Sequence, residues 1–444
     1  VHVTGVQTCA LPILADVLGR AGAWCGQNKY LSAIKNAFQN FMPLTIAGAI
    51  GVLWCNVLVN DQTGLGLFFK PIMALDFLNP AFQAVNFCTI SCITVGITLG
   101  IAQEIGVWNM GAERAGYIPG LVGLAAWLSV TNTSHMVEGA KKAFTGIAGN
   151  ELGATGLFTG MIIGVLSVEL FCFFEKQDAL KIKMPEQVPP GVARAFEVLV
   201  PATITLIITA CIGSACYNLT GLYLNDVIKN GIQGPLGAVG ATIPGVMIIY
   251  LVIMLFWLVG IHGNNMLSAV KEALFTPLAL ENVEKFNKGE KPTNIINMYA
   301  LQMWGEFGGS GVTIGLVIAI MIFGKREDNK AIATLSLVPG LFNINETVTF
   351  GVPMVLNPIL GIPFVVAPLI TIIIGYVLTV IGFCPVACLT VPWTTPPIVF
   401  GFLATGANVM GAVTQAILIV VSTVIYVPFL ISYEKYQNKQ AAEA

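Results

Sequence analysis

The chain has 444 residues, of which 56% are hydrophobic and only 10% charged, with a mean hydropathy of +0.81. Its 21 basic and 23 acidic residues leave a net charge of −2, so there is no basic field to attract nucleic acid. Soluble domains run nearer to a quarter charged, which excludes a cytosolic enzyme, a disordered chain and a secreted disulfide scaffold, and leaves an all-α polytopic membrane protein.

In chain order, Val1–Ile13 has no starting Met and no basic region ahead of an apolar core, so it is not a signal peptide. It reads as translated adapter or vector sequence and is set aside. Uncharged runs follow at Asn36–Asn60, Phe77–Gln103 and Ala115–Val137, and Leu152–Val168 extends past Glu169 into another. Further runs cover Val198–Asn225, Asn230–Val270 and Phe307–Gly324; the longest is Thr347–Tyr433. A crossing takes roughly 20 apolar residues, so the longest run should hold about three or four helices and the chain about ten. Runs of this length rule out a strand barrel. More than half of the charges gather in Glu175–Glu197, Lys271–Lys291, Lys325–Lys330 and a charged tail at 434–444. Basic residues at the span ends (Arg20, Lys29 and Lys35, then Lys176, Lys181, Lys183 and Arg194) put the N-terminus and the loop after the fourth span in the cytoplasm. Lys141 and Lys142 dissent.

Two helical cysteine pairs, Cys88/Cys92 and Cys384/Cys388, lack the His or carboxylate that would complete a metal site, and read as small buried residues. No metal and no cofactor is expected. Gly156, Gly160 and Gly164 form a small-residue stripe that favours close helix packing, within one subunit or between two.

Two segments are too polar for lipid. One is Trp257-Leu-Val-Gly-Ile-His262-Gly-Asn264-Asn265; the other is Pro339-Gly-Leu-Phe-Asn343-Ile-Asn345-Glu346, continuing through Gly351, Pro353, Asn357 and Pro358. Glycine and proline free backbone groups here, which must be satisfied inside protein or against a cavity. Interrupted apolar segments of this kind point to a transporter binding site, and an ionisable group at such depth is a functional candidate. Glu104, Glu169, Glu306, His262 and Glu346 qualify. Glu104 and Glu169 lie near span ends and Glu306 beside a glycine turn, so His262 and Glu346 lead. Carboxylate and amide groups pair well with sugar hydroxyls, and the flat faces of Trp257 and Trp393 suit the apolar faces of a pyranose. For both tryptophans the competing reading is an interfacial belt.

Val338-Pro-Gly-Leu-Phe-Asn-Ile-Asn-Glu-Thr, with the following Val-Thr-Phe-Gly-Val-Pro-Met-Val-Leu-Asn-Pro, resembles the signature of bacterial phosphotransferase-system IIC permeases of the lactose/cellobiose/diacetylchitobiose branch. Gly260-Ile-His262-Gly-Asn264 matches that branch's second motif. Asn28-Lys-Tyr-Leu-Ser-Ala-Ile-Lys and Met42-Pro-Leu-Thr-Ile-Ala-Gly-Ala resemble its opening. The resemblance runs from about Leu14 to Tyr433; Thr347 departs from it, standing where many relatives have Pro. It implies a homodimer in the bacterial cell membrane, an N-terminal dimerising half (14–230) and a C-terminal sugar-binding half (231–433) with two re-entrant hairpins. It implies that His262 and Glu346 contact the sugar, with Asn264, Asn343, Asn345, Trp257 and Trp393 near it. The sugar would be a β-linked disaccharide, phosphorylated during transport by a phosphocysteine on a separate IIB protein that is supplied by IIA. Glu346 is then the expected base for the sugar hydroxyl, with His262 assisting or exchanging roles with it. A proton-coupled sugar symporter would also want a buried Glu and His, and is the competing class. An intramembrane transferase would need a further nucleophile or acids that are not visible.

Overall fold

Helix after helix follows the uncharged runs in the computed structural model, which describes residues 16, 18–20, 23–24, 27–61, 65–135, 144–185, 187–235, 240–352, 354, 357 and 359–443. Val1–Ile13, Lys141, Lys142, Pro353 and Pro358 lie outside the described residues. The one sheet among them is a ribbon pairing Ser134–His135 with Phe144–Thr145.

The first long helix, α1 (Lys29–Leu53), starts where the Asn28 side chain accepts from the backbone N–H groups of Tyr30 and Leu31, each at 3.1 Å. That cap satisfies two of the orphan donors of the first turn. Helices α2 (Ile93–Met110), α3 (Ile118–Val130), α4 (Ala154–Glu175) and α5 (Leu199–Thr220) follow. The glycine stripe lies on α4 and packs inside the subunit. A Cβ at Gly160 would overlap Thr98 Oγ1 on α2, and one at Gly164 would stand 3.1 Å from the Thr98 carbonyl oxygen. Gly123 on α3 closes the same seam against Ala102 and the Cα of Gly164.

Polar groups in this region are matched. Lys29 Nζ lies 2.5 Å from Glu169 Oε1, and Asn36 Nδ2 donates to Glu104 Oε2 at 2.9 Å. Glu104 and Glu169 therefore tie α2 and α4 to α1. At the far end of α4, buried Glu175 accepts from both Arg114 and Arg194, which also reach Glu197.

Beyond residue 240 the helices become shorter. They are α6 (Ile243–Leu258), α7 (Ser268–Asn287), α8 (Met298–Gly305), α9 (Ile314–Phe323), α10 (Glu327–Leu341), α11 (Glu346–Gly351), α12 (Gly361–Val380), α13 (Val399–Ala404) and α14 (Val409–Glu443). The segment containing α8 meets α9 at a 59° bend. Between them Gly308, Gly309 and Gly311 hold φ of +70°, +88° and +78°. At Gly309 a side chain would be both strained and driven into Asn345. The two regions meet where α7 lies on α1 and α4.

Five helices are long and apolar enough to cross a membrane, or seven if each of two bent pairs is one span. Length and composition thus account for five to seven of the ten spans expected. The difference is sharpest in Thr347–Tyr433, where only α12 and α14 qualify. Pro385, Pro392, Pro396 and Pro397 fall between them and keep 381–398 out of regular helix. The charged tail also differs from expectation. Residues 434–443 continue α14, and Glu434 is buried, accepting from the Lys325 N–H at 2.8 Å and from Asn329 Nδ2 at 3.1 Å. The opening donors of α10 lack intrahelical partners, and this carboxylate supplies an acceptor just ahead of them.

Candidate functional site

The breaks between α6 and α7, α8 and α9, and α10 and α11 converge on one cavity of about 580 Å³. His262, Asn264, Asn343, Asn345, Glu346 and Trp393 all line it, so the structure brings together six of the seven residues singled out from sequence.

His262 caps the short helical turn Gly263–Met266, with Nδ1 accepting from the Asn265 N–H at 3.2 Å. In the neutral ring the proton then sits on Nε2. That nitrogen faces Glu346 Oε1 at 3.7 Å, too long for a hydrogen bond. Both side chains are well exposed, at 38% and 46%. Glu346 opens α11, and no protein donor reaches its carboxylate among the described contacts apart from this histidine. A hydroxyl lodged in the gap could accept from Nε2–H and donate to Glu346.

Trp257 is the seventh residue, and it does not line the cavity. It is 2% exposed, its ring lies 4.4 Å from that of His262 at 47°, and its other side meets Phe364 edge-on. Its place near the end of α6, just before the turn, puts it beneath the histidine, where it fixes the imidazole rather than a sugar. Trp393 is 45% exposed and borders both this cavity and a smaller one of about 240 Å³.

The asparagines are mostly braces. Asn343, at φ +63°, accepts from the Gly308 N–H at 2.6 Å and donates to the carbonyls of Trp393 and Thr395. Its amide is spent on joining three segments. Asn345 donates to the Ser310 carbonyl at 3.1 Å and to Thr349 Oγ1 at 2.9 Å. Asn264 donates to Ser310 Oγ at 3.2 Å, but its buried Oδ1 has no partner.

Residues 35–368 match the family described as phosphotransferase system, EIIC. The oligo-beta-mannoside-specific EIIC component of Bacillus subtilis is 33% identical, across 95% of this chain and 92% of that one. The cellobiose-specific EIIC component of Lactococcus lactis is 30% identical across 94% and 96%. The crystal structure of the transporter ChbC, the IIC component of an N,N'-diacetylchitobiose-specific phosphotransferase system, superposes with a TM-score of 0.87 at 28% identity, covering 98% of this chain and 99% of that one. The chain belongs to the EIIC family. It is a multi-pass membrane permease of a sugar phosphotransferase system, a resemblance already carried by the Asn-Ile-Asn-Glu motif.

This IIC chain also has cavity residues that the sequence reading missed. Lys271 was grouped with a charged loop, yet it lies buried in the first turn of α7 and pairs with Glu306. The Tyr250 hydroxyl donates to the same Glu306 oxygen at 2.7 Å. Gln302 and Gln415 line the wall as well. One signal was available: Lys271 is the only basic residue between Lys229 and Lys285, and a lone cation in apolar sequence needs a partner.

Proposed function

We propose that this IIC permease binds a β-linked disaccharide in the 580 Å³ cavity and presents one hydroxyl to Glu346 and His262 for phosphorylation. The observation that carries the reading is the open 3.7 Å gap between His262 Nε2 and Glu346 Oε1, two exposed groups turned toward each other over a cavity. Relatives specific for cellobiose, oligo-beta-mannosides and diacetylchitobiose support the substrate class. Phosphoryl transfer breaks the S–P bond of the phosphocysteine on IIB and forms an O–P bond to the sugar, and the hydroxyl proton passes to Glu346. His262 holds the same hydroxyl by donating from Nε2. IIA recharges IIB, and the chain works as a homodimer through its N-terminal half.

The test is uptake into vesicles holding this chain, with purified IIA, IIB and the general phosphotransferase proteins inside. Cellobiose should accumulate as its phosphate only when phosphoenolpyruvate is supplied, with or without an uncoupler. Accumulation of free sugar that an uncoupler abolishes would assign the chain to proton-coupled transport instead.

A further inference from the structure

We infer that Glu306 is a second sugar-binding carboxylate of the cavity, one that holds a hydroxyl other than the reacting one and so sets which hydroxyl reaches Glu346. The inference rests on the disaccharide-binding reading above and names a residue that reading does not use.

Glu306 follows the last residue of α8, where the helix's own carbonyls point and a carboxylate is electrostatically disfavoured. Its presence there is answered by Lys271, whose side chain is only 8% exposed. Lys271 Nζ and the Tyr250 hydroxyl both donate to Oε1. No protein donor reaches Oε2. A carboxylate accepts through two oxygens, and a buried ion pair is worth its desolvation only when the remaining lone pairs are satisfied. A purely structural pair would be expected to engage both oxygens; this one leaves one oxygen over and lines the cavity.

A second acceptor lies beside it. Gln302, four residues earlier and on the same helical face, lines the cavity too and has a buried amide oxygen without a partner. Two unpartnered acceptors one turn apart suit neighbouring hydroxyls on a pyranose ring. Glu306 differs from Glu346 in kind. A cation and a phenol hold Glu306 in one place as an acceptor, whereas Glu346 has only an exposed histidine across a gap. The first is built to bind and the second to react.

The experiment measures cellobiose affinity and phosphorylation on the same detergent-solubilised protein with IIA and IIB. Glu306→Gln should weaken binding at least tenfold and keep the phosphorylation rate at saturating sugar within threefold. Monodeoxy cellobioses then identify the contact. Removing one particular hydroxyl should cost the wild type at least tenfold and the Glu306→Gln protein less than twofold. Wild-type affinity in the variant would overturn the inference, as would equal losses in both proteins for every analogue. Should Glu306→Gln not fold with Lys271 left unpaired, the double variant Lys271→Gln/Glu306→Gln removes both charges. A folded double variant with weakened binding supports the inference. Wild-type affinity, or failure to fold, marks the pair as structural and overturns it. A wild-type chain that binds none of cellobiose, mannobiose and diacetylchitobiose would instead strike the disaccharide reading itself.

Discussion

Between Lys29 and Thr220, α2, α3 and α4 lie against one another through Gly123, Gly160 and Gly164, and the carboxylates Glu104 and Glu169 are met by Asn36 and Lys29 of α1. From Ile243 onward the helices stop and restart around a cavity, and Glu346 is left with a single neighbour that it does not touch. Both regions are equally short of charge. What separates a bracing carboxylate from a working one is not its depth or its distance from a span end, but whether the fold supplies its partner.

Glu346→Gln should give the widest break in that contrast. Gln keeps the volume and one acceptor, while loss of general-base help should lower the yield of sugar phosphate by about 10²-fold or more with the protein still monodisperse. An unchanged yield would put Glu346 among the bracing carboxylates. In the glycine-packed region the expected damage is to the fold. Gly160→Leu forces atoms into Thr94 and Thr98, and overpacking of this kind costs about 1–3 kcal/mol. A lowered unfolding midpoint is expected by thermal fluorescence; an unaltered one would mean that α2 and α4 can separate freely.

Asn343→Ala tests the border between the two behaviours. It strands the Gly308 N–H and two carbonyls of the 393–395 loop; leaving such groups unpaired costs about 1–3 kcal/mol each where they are buried. Stability and sugar affinity should fall together. A loss of affinity at constant stability would instead make Asn343 a direct ligand. Trp393→Ala carries the smallest effect, since one stacking contact contributes about 1 kcal/mol. Competition binding should show several-fold weaker disaccharide affinity and a reduced preference over glucose. With Trp257 under the histidine, only one ring is expected to be stacked, and a second lost contact in Trp257→Phe would contradict that.

The legible part of the site was the part that offends lipid. His262 and Glu346 stand among glycines and prolines in otherwise apolar runs, and the cavity is where those breaks meet. Lys271 and Glu306 escaped notice because each looks ordinary locally; only the crossing of α7 beneath the end of α8 makes them a pair. Asn343 was read as a sugar ligand because an amide suits hydroxyls and backbone groups alike, and only its φ of +63° and three partners distinguish the brace. The long final run was cut too finely because hydropathy counts apolar residues without registering that four prolines spoil the helix between 381 and 398.

Glu434 has a mechanical consequence. At 35 residues α14 is about 52 Å long, and its charged end is clamped to the start of α10 through Lys325, Arg326 and Asn329. A fluorescent reporter attached behind Glu443 would therefore turn with α10, the helix that leads to Asn343 and Glu346. Its anisotropy or its distance to a label on α4 would register the movement of the sugar cavity without any probe inside it.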